Sequence, residues 1–112
     1  MPRRISSGGA FSYGQGPEMQ KETIRREPTG HGERYVLVRD GVEAELTFND
    51  LPGDKRVTDH TRVPEALGGQ GVGTFLVERA VKDAREEGKT IVPQCWFVRQ
   101  QIDRHPEWQD VL

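Results

Sequence analysis

The sequence has a single cysteine, Cys95, among 112 residues. That excludes an internal disulfide, and no Cys/His cluster has the spacing of a zinc site, so no metal is expected. A basic block is also missing. With a formal net charge of −2, the chain carries no electrostatic footprint for nucleic acid. No apolar run reaches membrane length, and no apolar signal segment follows the N-terminus. The expectation is a cytoplasmic protein with neither a nucleic-acid nor a membrane partner. Hydrophobic residues are scarce, 33% against 30% charged, and there are 13 glycines and 7 prolines. A chain of this length holds one domain with a modest core, and part of it is expected to stay outside that core.

Residues 1–20 carry linker chemistry, in Ser6-Ser7-Gly8-Gly9-Ala10 and Gly14-Gln15-Gly16-Pro17, with little to bury. They read as a disordered tail ahead of a domain spanning 21–112. From Ile24 the pattern tightens. Arg34 to Asn49 reads as a β-hairpin about Asp40-Gly41, a dipeptide that favours a two-residue type I′ turn. That turn sets Arg39 opposite Val42, Leu37 opposite Ala44 and Tyr35 opposite Leu46, with Phe48 extending an apolar face. Glu43, Glu45 and Thr47 point the other way. After a second turn at Leu51-Pro52-Gly53-Asp54, Arg56 to Val63 reads as a third antiparallel strand. Simple alternation puts Val57, Thr61 and Val63 on one face of it, His60 and Arg62 on the other.

The clearest element follows. Val72, Leu76, Ala80 and Ala84 recur every four residues, widened by Phe75, Val77 and Val81, and Gly88 stands where a helix ends. Thr90 to Cys95 reads as a strand joined to the third by a parallel, right-handed crossover. Pro93 within it cannot donate to a ladder and so marks an edge or a parting of strands. Phe97 to Arg104 reads as a short helix, and Pro106 as the start of a last turn carrying Trp108. Glycines at alternate positions, Gly69, Gly71 and Gly73, strip side chains from the loop that opens the long helix. The amides there have no intrahelical partner and sit at the positive end of the helix dipole, a setting suited to a phosphate or diphosphate. A tightly packed turn would use glycines as well.

Taken in order, these elements make an α/β (α+β) fold with a mainly antiparallel mixed sheet, one parallel β-α-β crossover and a short C-terminal helix. Order and residues together resemble the GNAT acetyltransferase superfamily. More narrowly, they resemble its small single-domain branch, the YjdJ-type or NATD-type acetyltransferase-like proteins. The resemblance runs from Ile24 to Leu112. It rests on His60-Thr61 before the glycine loop, Gly71 and Gly73 within it, Pro93-Gln94-Cys95 in the next strand and His105-Pro106-Glu107-Trp108 near the end. The superfamily loop begins with Arg or Gln. This chain has Gly68 there, which removes one side-chain contact to a diphosphate.

The resemblance implies an N-acetyltransferase using acetyl-CoA as cosubstrate. Its cofactor-binding residues would be Val63, Gly68, Gly69, Gln70, Gly71, Val72, Gly73, Thr74, Pro93 and Cys95. The pantetheine arm would pair with the strand edge opened by Pro93, which brings the thioester near Cys95, whose amide or a neighbouring one would polarise the carbonyl. The candidate catalytic residues are Cys95 and His60. As a lone strand cysteine, Cys95 also suits a small packing role, and His60 a backbone-bonded strand position. The acceptor, a small-molecule or protein amine, is not readable, nor is the oligomeric state. A Rossmann-type nucleotide fold is a poorer match, since Thr74 stands where it needs a third glycine and no acid follows at the end of the next strand. The loop also lacks the Gly-Lys-Ser/Thr of a Walker motif. The stronger rival is a CoA-binding or protein-interaction module that keeps the fold without transfer, which Gly68 and the short chain favour.

Overall fold

Asp40 and Gly41 both take positive φ, 53° and 77°, the backbone of a type I′ turn. Around them, in a computed structural model that describes residues 23–112, strand β2 (Glu33–Arg39) pairs antiparallel with β3 (Val42–Leu51). The register is the expected one, with Arg39 opposite Val42, Leu37 opposite Ala44 and Tyr35 opposite Leu46. Tyr35, Leu37, Ala44, Leu46 and Phe48 are all buried. The expectation for residues 1–20 lies outside the described residues.

The antiparallel part contains four strands where sequence alternation indicated three. β1 (Ile24–Pro28) pairs along β2, with Arg26 opposite Tyr35. Ile-Arg-Arg-Glu-Pro shows no apolar alternation. What holds it is charge across the ladder: Arg26 to Glu33 at 2.7 Å and Arg34 to Glu27 at 2.6 Å. β4 (Lys55–Arg62) completes the meander, and β5 (Thr90–Pro93) joins it parallel at the end of a five-stranded sheet ordered β1-β2-β3-β4-β5.

β4 departs from simple alternation. Thr47 faces His60 but Phe48 faces Thr58, so Asp59 is an extra residue in a β-bulge. The bulge flips the parity of the strand: Thr58 and Arg56 come to the Phe48 face, which Thr61 shares through Leu46, while Val57 pairs with Asn49 on the opposite face. The expectation that Val57 shares a face with Thr61 and Val63 therefore fails, because a period of two does not survive an inserted residue. Arg56 is consequently buried at 1% exposure. It is held by Asp50 (2.7 Å), by Glu87 (2.7 Å) and by the Phe48 ring, whose centroid is 4.9 Å from its guanidinium carbon. A buried guanidinium needs such partners to offset its lost hydration.

α1 (Val72–Glu87) lays Leu76, Val77, Ala80, Val81 and Ala84 on this sheet face. It stops at Gly88, which is left-handed, with Lys89 N–H donating to the Ala84 carbonyl at 2.8 Å in a Schellman-type end. The Gly88-Lys89-Thr90 run thus closes a helix instead of opening one, and it is no phosphate loop. α2 (Trp96–Arg104) and a last 3-10 turn (Pro106–Val111) cover the far end. There His105 stacks on buried Trp108 with ring centroids 3.9 Å apart, and Asp110 ties the turn to Arg85 of α1 at 2.7 Å.

Candidate active site

The loop between β4 and α1 is shaped by its glycines. Gly69 and Gly71 both have φ of 75°, and Gly71 is the residue that caps α1. A glycine cap brings no side chain, and none bonds the first turn of α1. The amides of Val72, Gly73 and Thr74 therefore end the helix without an intrahelical acceptor. They line a cleft together with Leu67, Gly68, Gly69, Val63, Phe97 and Gln101. Gln70 is turned from this lining: its Oε1 accepts from Arg39 at 2.7 Å, which fastens the end of β2 to the loop.

A second cleft, of roughly 480 Å³, adjoins the first, with Val63 and Phe97 common to both. It opens where two strands part. β5 pairs with β4 only from Lys55 to Thr58, while β4 continues to Arg62. Pro93, opposite Thr58, is the last paired residue and lines neither cleft. The edge that loses its neighbour is thus Asp59–Arg62 of β4, not the Pro93 region of β5.

Cys95 and His60 both line this second cleft, with Asp59, Thr61, Gln94 and Trp96. Cys95 is the residue that caps α2, and its Sγ lies 3.5 Å from Thr61 Oγ1. Its amide donates to the Thr58 carbonyl at 2.9 Å, and the Gln94 amide to Val92 at 3.0 Å. The expectation that the Cys95 amide polarises a carbonyl is therefore corrected: that donor is already engaged. The first amides of α2, at Trp96 and Phe97, remain without intrahelical acceptors, and the Cys95 side chain does not cap them. Trp96 is 72% exposed beside them, whereas Trp108 is packed in the core.

Sequence reasoning passed over Gln101 and Thr61. Gln101 sits on the buried face of α2 with Val98 and Ile102, and a polar residue inside an apolar stripe was the signal available for it. Thr61 was visible as half of His60-Thr61 and as one residue of a strand face, while the bulge in that strand and the contact with Cys95 could not be read. His105 serves the fold, its Nδ1 donating to the Gln101 carbonyl at 2.7 Å. Among the described residues no group of His, Cys, Asp and Glu gathers as a metal site, and no helix is long and apolar enough to cross a membrane.

Comparison with proteins of curated function yields no match. Among solved structures, a solution structure described as a GCN5-like, proposed N-acetyltransferase from Staphylococcus aureus is similar in fold. The TM-score is 0.64 at 30% identity, over 83% of this chain and 89% of that one. The family model for the GCN5-related N-acetyltransferases matches residues 34–111, from β2 through the glycine loop and both clefts to the final turn. The chain belongs to the GCN5-related N-acetyltransferase family.

Proposed function

We propose that the protein binds acetyl-CoA across the two adjoining clefts and transfers the acetyl group to an amine. The observation that carries this reading is that the two clefts adjoin, with Val63 and Phe97 lining both. An anion-binding helix start lies at one end, an unpaired strand edge and a thiol at the other. In this reading the diphosphate sits on the amides of Val72, Gly73 and Thr74. The pantetheine amides pair with the Asp59–Arg62 edge of β4, which β5 leaves open. The thioester reaches the start of α2, where the Trp96 and Phe97 amides and the helix dipole favour the oxyanion that forms on attack.

The amine nitrogen attacks the thioester carbon, the C–S bond breaks, and CoA leaves as a thiolate that must be protonated. His60 lines the same cleft and is exposed, so it takes the proton that the attacking amine loses. Thr61 and Cys95 are the proton-bearing groups beside the departing sulfur. We assign direct attack instead of an acetyl-cysteine relay, because the Sγ partner is a hydroxyl and not a base.

Thermal shift tests the binding step. At a hundredfold excess over Kd, CoA should stabilise the fold by about 2.7 kcal/mol, on the order of 10 °C for a domain of this size. Gly71→Val should abolish the shift, since it puts a β-branched side chain at a left-handed position on the phosphate path. A shift that survives the substitution places the cofactor elsewhere. A panel of amines with a free-thiol readout tests the chemistry. CoA binding without thiol release from acetyl-CoA would make the chain a non-catalytic CoA-binding module.

A further inference from the structure

We propose that Gln101, on α2, is a diphosphate-binding residue that supplies the side-chain donor missing at Gly68. The inference rests on the reading above, that CoA lies with its diphosphate at the start of α1.

Gln101 is only 7% exposed, yet it lines the cleft over the first turn of α1. Its Oε1 accepts a hydrogen bond from Thr74 Oγ1 at 2.9 Å, and Thr74 is the third residue of α1. That bond turns the carbonyl end of the amide toward the helix and leaves Nε2, with two N–H donors, as the other end. Nε2 has no hydrogen-bond partner among the described residues. Nε2 keeps access to solvent, so its two N–H donors can meet something polar in the cleft. Its surroundings specify what that is. The neighbouring groups are the outward-pointing amides of α1, so every polar donor at this end of the cleft is suited to an anion. No carboxylate lines it.

This placement accounts for the glycine at position 68. In the first cleft the loop offers backbone only, from Gly68, Gly69, Gly71 and Gly73. A donor approaching from α2 reaches the same anion from across the cleft. The diphosphate is then gripped between the two helices and not from the loop alone. The Thr74–Gln101 bond fixes the separation of those helices at this point, so the donor is held in place before the ligand arrives.

Calorimetric titration with CoA, and with pantetheine as a probe lacking the diphosphate and the phosphorylated adenosine, tests this. Gln101→Glu keeps the acceptor that Thr74 needs but replaces the N–H donors with a charged oxygen. It should melt close to wild type, bind CoA roughly 10- to 100-fold more weakly and leave pantetheine unaffected. Gln101→Met keeps the packing volume without a donor and should show the smaller part of the same loss. If either variant folds and binds CoA as tightly as wild type, the assignment to Gln101 is overturned while the CoA site stands. Equal losses for CoA and pantetheine would reduce Gln101 to a packing residue. Wild-type protein that binds no CoA overturns both readings.

Discussion

Gly73 and Phe97 meet so closely that a β-carbon on the glycine would lie 2.5 Å from Phe97 Cζ and 2.8 Å from Cε2. The first turns of α1 and α2 touch at this point, and Phe97 belongs to both clefts. The second fixed glycine of the loop is therefore a packing requirement. It lets the first turns of the two helices share one wall of both clefts.

Gly73→Ala should reveal this. Alanine gains about 1 kcal/mol over glycine in a helix, but overpacking against the ring costs about 1–3 kcal/mol. The expected net loss is about 1 kcal/mol by denaturant titration, with weaker CoA binding as the ring moves into the cleft. Adding Phe97→Leu should return part of the stability by making room for the new methyl group. Gly73→Ala with a wild-type midpoint and wild-type CoA affinity would mean that the ring swings clear at no cost.

Much of this arrangement was legible in the sequence. Asp40-Gly41 specified its turn and with it the β2–β3 register. The four-residue apolar spacing from Val72 to Ala84 specified α1, and Gly88 its end. Three features were not legible, for one shared reason. β1 is held by Arg26–Glu33 and Arg34–Glu27 pairs that have no apolar period. The Asp59 bulge turns on pairing between strands, which a single strand's alternation cannot show. Gln101 becomes meaningful only once α2 is laid against Thr74. In each case the deciding partner lies on another element, and the periodicity of one element carries no record of it.

Tyr35 offers a test of the buried polar network. Its hydroxyl donates to Asp83 Oδ2 at 2.7 Å, inside the core. Burial first, and then this bond to a carboxylate, push the Tyr35 phenol above its ordinary range. Tyr35→Phe keeps the ring packing and removes one donor, while Asp83 keeps Arg79 (3.1 Å) and Arg26 (3.3 Å). The expected cost is about 1–2 kcal/mol, measured by urea unfolding, with no change in CoA affinity because the pair lies outside both clefts. A neutral outcome would show that the two arginines satisfy Asp83 alone.

The charge network also sets the acid limit of the fold. Hydrogen bonding from Arg26, and then, against the opposing effect of burial, from Arg56, holds the Glu87 carboxyl down at about 2. Arg56 likewise lowers Asp50. A depressed carboxylate contributes stability that is complete above its unfolded value and is lost as pH falls through the folded one. Thermal stability should therefore hold down to about pH 4.5 and then fall steadily toward about pH 2. The Glu87 side chain is 35% exposed, so solvent screening moderates its share. Glu87→Gln should be less stable at neutral pH, and its melting temperature should fall less between those limits. A parallel acid limb in the variant would move the effect to other carboxylates.

The reaction path turns on Cys95. Direct attack predicts that protein incubated with acetyl-CoA alone gains no acetyl group, and that Cys95→Ala keeps most of its transfer to an accepting amine. The geometry favours that outcome, since Sγ lies against the Thr61 hydroxyl and the residue is packed against the core. A relay needs the thiolate as nucleophile; the start of α2 favours that charge, but the partner of Sγ is a hydroxyl that cannot take its proton as a base would. Intact-mass measurement separates the two. An adduct of about 42 Da, the mass of one acetyl group, on wild type and absent from Cys95→Ala would establish the relay and overturn direct attack. Thr61→Val adds an internal control. If the hydroxyl and thiol serve together to protonate the leaving sulfur, removing the hydroxyl should slow transfer more for acetyl-CoA than for an acyl thioester whose leaving thiol is more acidic.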